Sequence, residues 1–595
     1  MPSAPYDFSR SVGLVQTKML RLDLPPEGFR LESGETLPEI QVAYETYGTL
    51  APDRRNVIYI CHALSGDAHA AGFHTEEEMR APRPKPGWWD IMIGPGKPID
   101  TNRFFVVCTN NLGGCKGTTG PSSVDPRTGR PYGSRFPRIT VGDMVEVQYR
   151  FLKALGIEHL AAVMGGSMGG MQVLEWAIRF PEAMDRCICI ASAASLSAQA
   201  LAFNILGRRI IMSDPDWQGG DYYESGRRPD MGLALARMMA HITYLSPSMM
   251  EEKFGRDKRP DVSARRFYTP FQVESYLDHQ GTQFIRRFDA NSYLHITEAM
   301  DAYDLEERFG SLEAAFRNVK ARFLVVALTT DWLFPPEQSR ELAQALLRAG
   351  CDTTYALLEA EQGHDAFLLD FPELSDLIRE YLLASPAAAA PPASLPSTDS
   401  EFALIRELVP SGARILDLGC GDGTLLAGLT AGTGRPGLGV EINTRRVIET
   451  VARGVPVLQL DMDEGLDMLP DGAFDVAVLS RTLQVVRKPA DVLWEMLRLA
   501  KTAIVTFPNF GHWKHRVRLG LLGRMPKSED LPFEWYNTPN IHLTTLVDFL
   551  ALCQKEGWRC TQLHCIGRDR LSRALIALGF RNSGADEVVA VLERA

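Results

Sequence analysis

The chain has 595 residues, which is too long for one hydrophobic core and implies at least two domains. Apolar residues make up 45% and charged residues 23%, as in ordinary soluble globular proteins, and the formal net charge of −11 argues against nucleic acid or an anionic membrane surface as a general partner. The start, MPSAPYDFSRSVGLVQTK, lacks the basic-then-apolar order of a signal peptide. No stretch of about 18 apolar residues is free of charge, so no membrane span is expected. The ten cysteines form no CxxC pair, which fits reduced thiols in a cytoplasmic protein and gives no zinc or other metal site.

In chain order, near-continuous apolar runs predict buried parallel strands at Asn56–Leu64, Arg103–Asn110, His159–Gly165, Arg186–Ser192, Ala321–Asp331 and Thr353–Glu361. A helical pattern spans Val141–Gly156, and strands alternating with helices indicate an α/β doubly wound sheet. From about 193 to 320 the rhythm breaks into Met-, Arg- and Tyr-rich helical spacing. This reads as an inserted helical lid, with a separate small helical domain as the alternative. Residues Ser385–Ser400, SPAAAAPPASLPSTDS, have little to bury and read as a linker at 386–400 between domains at 1–385 and 401–595.

The sharpest signal is Gly165-Gly166-Ser167-Met168-Gly169, a G-x-S-x-G between a buried strand and a helix. A nucleophile on such a tight turn has strained backbone and needs small neighbours. A serine hydroxyl is a poor nucleophile at neutral pH, so it needs a base and an acid to orient that base, which in this fold follow in the order Ser, Asp, His. Of His241, His279, His295 and His364, only His364 follows a late strand in a Gly-containing loop, EQGHDAF. Asp331 closes the preceding strand. The oxyanion donors are expected to be the N–H of Met168 and one from the loop Cys61–Gly72. Leu64 is the candidate there, and Ser65, Gly66 and Asp67 serve equally well as turn formers.

HALSGDAHAAG (His62–Gly72), KPGWWDIMIGPGKPIDT (Lys85–Thr101), NNLGGCKGTTGPSS (Asn110–Ser123), GGSMGGMQ (Gly165–Gln172), RFDANSYL (Arg287–Leu294), TTDWLFPPEQS (Thr329–Ser339) and QGHDAF (Gln362–Phe367) together resemble homoserine O-acyltransferases of the MetX type. The resemblance covers residues 10–384. It implies an α/β-hydrolase fold in which acyl-CoA acylates Ser167, His364 acts as base, Asp331 orients it, and L-homoserine takes the acyl group. By the same resemblance Arg237, in LALARMMAHITYLS, and Asp365 grip the homoserine carboxylate and ammonium. The family includes acetyl and succinyl users. Succinyl-using relatives can carry arginine where this chain has Leu333, which favours acetyl-CoA, while Lys116 is a second candidate cation for a succinyl carboxylate. A serine esterase shares the same machinery and is the alternative from another reaction class. The family is commonly dimeric, which implies a homodimer.

After the linker, RILDLGCGDGTLLAGL (Arg414–Leu429) runs a strand into Gly419, Gly421 and Gly423 and then a helix. Glycines at a helix N-terminus let a ligand approach the backbone closely. Glu441 ends the next strand as a candidate for ribose hydroxyls, and Asp461 follows a third as a candidate adenine contact. A fourth strand is expected at Phe474–Val486. The pattern resembles a class I S-adenosylmethionine-dependent methyltransferase (Rossmann-like) fold, with a dinucleotide-binding domain or a vestigial pocket as alternatives. SRTLQVVRKPADVLWEMLRLAKTAIVTFPNFGHWKHRVRL (Ser480–Leu519) and LPFEWYNTPNIHLTT (Leu531–Thr545) resemble MetW. No motif identifies a methyl acceptor. Pro508, Asn509, Phe510 and His512 either shape an acceptor site or form a loop. The domain is therefore expected to be regulatory or supporting, as a sensor of S-adenosylmethionine or as a stabilising interaction module.

Overall fold

A computed structural model describes residues 6–259, 271–387, 400–435, 437–527 and 534–594. The chain forms two compact units, Met1–Leu382 and Leu383–Ala595. Most of the expected linker lies outside the described residues, as do 260–270 of the expected lid and 531–533 of the last quoted stretch.

The first unit is built on eight strands: β1 (Lys18–Arg21), β2 (Gln41–Tyr47), β3 (Val57–Cys61), β4 (Phe105–Thr109), β5 (Ala162–Gly166), β6 (Arg186–Ile190), β7 (Arg322–Leu328) and β8 (Thr353–Leu358). They lie in the order β1-β2-β4-β3-β5-β6-β7-β8. From β4 to β8 all pairs are parallel, and β2 runs antiparallel to both β1 and β4. Every residue of β3 and β5 is buried, as parallel strands covered on both faces require. The six strands expected from the apolar runs are all present, with ends that differ from the expected ones by a few residues. The antiparallel β1 and β2 were not expected, because their short or mixed patterns carry weaker signals.

Helix α1 (Val141–Ala154) begins with a capping box between Thr140 and Asp143. Helix α2 (Met168–Arg179) leaves β5 directly and buries its first ten residues. Between β6 and β7 the regular elements of the described residues are all helices. They include α3 (Ala198–Ser213), α4 (Asp230–Tyr244), α5 (Gln272–Ile285) and α6 (Ala290–Asp301). Helix α4 packs on α3 and α5. Past this group, the short helix Leu312–Phe316 packs on α2 and on Pro336–Arg348, so the end of the expected lid belongs to the sheet-covering layer.

The second unit carries β9 (Ile415–Leu418), β10 (Leu438–Glu441), β11 (Val457–Gln459), β12 (Phe474–Leu479), β13 (Ala500–Pro508), β14 (Trp558–Ile566) and β15 (Glu587–Arg594). Their order is β11-β10-β9-β12-β13-β15-β14, with the first five parallel and β15 antiparallel to both neighbours. The chain order reverses at β9, and its carboxyl end runs into the glycine loop and α7 (Thr424–Thr430). A topological switch point is where such sheets bind ligands.

All ten cysteines are unpaired, and no helix among the described residues is long and apolar enough to cross a membrane.

Candidate active site

Ser167 caps the N-terminus of α2 with φ 58° and ψ −127°, a left-handed conformation that side chains rarely adopt. The glycines around it explain how this is tolerated. A Cβ on Gly165 would come within 2.5 Å of the Cys61 carbonyl oxygen, and one on Gly169 would strike the same carbonyl. A Cβ on Gly170 would strike Ser192. The Ser167 N–H is tied to the Ile190 carbonyl at 3.0 Å, and its own carbonyl accepts from Gly170 N at 2.8 Å. The turn is thus fixed from both sides, with Ser167 buried and the open end of α2 at the nucleophile.

His364 lies in a short 3-10 turn, Gly363–Leu368, after β8. Its Nδ1 meets Asp331 Oδ2 at 2.6 Å. Asp331 sits three residues beyond the end of β7 rather than closing that strand. Its other oxygen, Oδ1, accepts from Leu333 N at 3.0 Å and Phe334 N at 2.9 Å. The aspartate therefore caps its own turn and holds the imidazole. Phe334 stacks on the ring of His364 at 5.3 Å. Burial disfavours the imidazolium, but the Asp331 charge and hydrogen bond outweigh it and Asp365 adds to them, so the pKa of His364 is raised.

Ser167 opens into a pocket of about 50 Å³ lined by Leu64, Leu196, Phe203, Tyr244, Leu333 and Phe334, among others. The expected Leu64 and Leu333 are there. Lys116 does not line this pocket; it lies on a separate cleft with Arg287. Arg208, one turn along α3 from the pocket residue Asn204, is ion-paired with Asp301 at 2.5 Å.

Arg237 on α4 lies over the rings of Phe284 (4.7 Å) and Tyr244 (5.2 Å), with Nη1 3.5 Å from Ser65 Oγ. Burial raises the Asp365 carboxyl, while His364 and Arg237 pull it down. Arg237 and Asp365 thus lie within electrostatic reach of each other beside His364. Tyr244 and Phe334 escaped the sequence reading because neither belongs to a catalytic residue type in a recognisable pattern.

The loop bearing Leu64 is held by its neighbours. Arg287 Nη1 donates to the Ser65 carbonyl at 2.8 Å. The backbone N–H of Asn111 donates to His62 Nε2 at 3.1 Å, so the proton of His62 is on Nδ1, which faces the Ala63 carbonyl at 2.7 Å. Burial lowers the pKa of His62 accordingly. Glu45, His69 and His74 also converge. Glu45 bonds both imidazoles (3.0 and 2.8 Å), Thr17 and Tyr47, and this network pins the loop to β2.

In the second unit Gly419, Gly421 and Gly423 all have positive φ (72°, 59° and 76°). Glu441 Oε2 accepts from Gly421 N at 3.0 Å, and Oε1 accepts from Ile442 N and Asn443 N at 2.9 Å each. Asp461 pairs with Arg487 at 2.6 Å. Asp417, buried behind the loop, is pushed up to about 7 by burial and by Glu441. These residues share the carboxyl edge of β9, β10 and β11. Asn509 is committed elsewhere: its amide donates to the carbonyls of Asn582 and Ala585, and its oxygen accepts from Gly511 N and Leu546 N. Buried His512 bonds Ser572 Oγ at 2.8 Å. Both organise a loop.

A strained serine at a strand-to-helix elbow, with an Asp–His pair on later loops of the same sheet, defines the first unit as an α/β hydrolase in fold. The family model for the α/β hydrolase fold matches residues 56–371, and that for the methionine biosynthesis protein MetW matches 399–578. A bifunctional methionine biosynthesis protein MetXA/MetW from Rhodopirellula baltica is 43% identical over 560 residues, covering 92% of this chain and 88% of that protein. A homoserine O-succinyltransferase from Halothiobacillus neapolitanus is 51% identical, over 64% of this chain and 94% of its own. The crystal structure of a homoserine O-acetyltransferase from Bacillus anthracis superposes with a TM-score of 0.57 at 32% identity, covering 62% of this chain and 98% of that one. The chain belongs to the bifunctional MetXA/MetW family.

Proposed function

We propose that the first unit transfers an acetyl group from acetyl-CoA to the hydroxyl of L-homoserine, giving O-acetyl-L-homoserine for methionine biosynthesis. His364 takes the proton of Ser167, whose Oγ attacks the thioester carbonyl. The tetrahedral oxyanion is received by the N–H groups of Met168 and Leu64, and CoA leaves as the thiol. His364 then deprotonates the homoserine hydroxyl, which attacks the acyl-serine and regenerates Ser167. Asp331 keeps the imidazole oriented and stabilises its charged form. Arg237 receives the substrate carboxylate and Asp365 its ammonium.

The observation that carries this reading is the Asp331–His364 contact on the same sheet edge as the strained Ser167. The small, mostly apolar pocket beside Ser167 supports acetyl, because a succinyl chain would bring a carboxylate and none of the residues lining the pocket is cationic. Relatives of both acyl types exist, so the donor is the point to test. The protein is incubated with L-homoserine and acetyl-CoA or succinyl-CoA, thiol release is followed, and Ser167→Ala serves as control. Homoserine-dependent release from acetyl-CoA supports the proposal. Release from succinyl-CoA alone replaces the donor, and homoserine-independent release marks a hydrolase.

For the second unit the reading is a class I methyltransferase-like domain that binds S-adenosylmethionine and modulates the first. Its strand order, with one antiparallel strand inserted near the edge, and the Gly419–Glu441–Asp461 grouping support this. Regulation requires a coupling free energy between the two ligands. Acyl transfer that stays constant across an S-adenosylmethionine titration would exclude it. Apolar side chains exposed on α3 and α4, among them Leu206, Met212 and Met231, favour a homodimer through the lid.

A further inference from the structure

Two stretches used by neither the Ser–His–Asp group nor the homoserine contacts, Asn110–Ser123 and Arg287–Leu294, meet at one cleft of about 420 Å³ in the first unit. Five cations line it: Lys116, Arg227, Arg228, Arg286 and Arg287. In a chain with a net charge of −11 this is a local reversal of sign. The one carboxylate on the wall, Asp289, is already engaged. It accepts from the hydroxyls of Tyr222 (2.5 Å) and Tyr223 (2.9 Å) and from Ser292 N (2.9 Å) as the N-cap of α6. Arg227 and Arg228 reach Asp216 and Asp230 only at 3.5 and 3.3 Å, in exposed pairs that contribute little. Lys116 and Arg286 form no ion pair among the described residues. Cations gathered without matching anions repel one another, and a multiply charged anion relieves that repulsion.

The cleft is joined to the chemistry by Arg287. Its guanidinium lines the cleft, holds the Ser65 carbonyl at 2.8 Å next to Leu64, and lies over Phe284 at 5.2 Å, the ring that also supports Arg237. A ligand for this arrangement is polyanionic at one end, and Arg287 links that end to the loop of Leu64, which lines the pocket of Ser167. We infer that the cleft seats the 3′-phosphoadenosine diphosphate end of the acyl-CoA, an assignment that rests on the acyl transfer proposed above. It gives the two unused stretches one shared role, since each contributes a cation, Lys116 and Arg287, to the same phosphate site.

The test uses the full chain and the double variant Lys116→Glu/Arg286→Glu, both exposed positions. Two readouts are taken: calorimetric binding of CoA and of adenosine 3′,5′-bisphosphate, and kcat/KM for acetyl-CoA against acetyl-pantetheine, which lacks the nucleotide. The preference for acetyl-CoA over acetyl-pantetheine should fall by roughly tenfold or more, carried by KM, with both nucleotides bound more weakly. Unchanged nucleotide binding, or an equal loss with both thioesters, would overturn the assignment while leaving acyl transfer in place. If the wild type binds CoA through these residues yet shows no homoserine-dependent thiol release, the cleft stands and the acyl-transfer reading falls.

Discussion

The ring of Phe367 lies where a side chain on Gly166 would go: a Cβ there would come within 2.5 Å of the ring. Phe367 is three residues past His364, so the nucleophile turn and the histidine turn are packed directly on each other. Gly166→Ala is therefore expected to destabilise the first unit by about 1–3 kcal/mol and to displace Ser167 from His364. Denaturant unfolding and thiol release measure the two effects. Phe367→Leu in the same chain should recover part of both, and a Gly166→Ala protein of wild-type stability and rate would show the contact to be unimportant.

Asp331→Asn should lower kcat by about 10⁴-fold, because the imidazole loses both its orientation and the charge that stabilises its protonated form. The pH profile gives a sharper test. His364 must be neutral to act as base, so activity falls as pH drops through its folded pKa, which lies above the ordinary 6.5. In Asp331→Asn the burial that lowers this pKa remains while the charge that raises it is gone. The acidic limb should move to lower pH. The same linkage sets a stability trend. A histidine whose folded pKa is raised contributes stability that is complete below its unfolded value and is lost as pH rises through the folded one. The difference in thermal midpoint between wild type and Asp331→Asn should accordingly narrow with increasing pH.

Leu333→Arg places a guanidinium in the pocket beside Ser167. The ratio of kcat/KM for succinyl-CoA over acetyl-CoA should rise by about tenfold or more, since a charge-assisted hydrogen bond becomes available to the succinyl carboxylate. An unchanged ratio would mean that another residue sets the donor.

Glu441→Ala should abolish binding of S-adenosylmethionine measured by calorimetry. It should also destabilise the second unit by about 1–2 kcal/mol, because the N–H groups of Gly421, Ile442 and Asn443 lose their shared acceptor. Arg487→Ala should have the opposite effect on affinity, since it releases Asp461 from its 2.6 Å ion pair. Identical affinities in wild type and both variants would remove these residues from any ligand site.

Much of this protein was written in local sequence. Unbroken apolar runs such as Val57–Cys61 and Ala162–Gly166 specify buried parallel strands, because only strands covered on both faces can hide every residue. The small residues around Ser167 specify a turn that no side chain could fit, and the glycines at 419, 421 and 423 mark backbone with positive φ. Such features are legible because each rests on one residue and its immediate neighbours. What needed the tertiary structure were relationships between distant segments. Asp331 lies beyond its strand, dividing its oxygens between its own turn and His364, and the sequence could not show that one carboxylate serves both. Lys116, a candidate for the acyl pocket by motif, sits instead with four arginines, because the loop that bears it folds toward Arg287 rather than toward Ser167. Tyr244 and Phe334 enter the site only because the lid and the turn after Asp331 bring them to the histidine. Local chemistry specified the elements and the nucleophile, while long-range packing selected which of several candidate charges faces the reacting atoms.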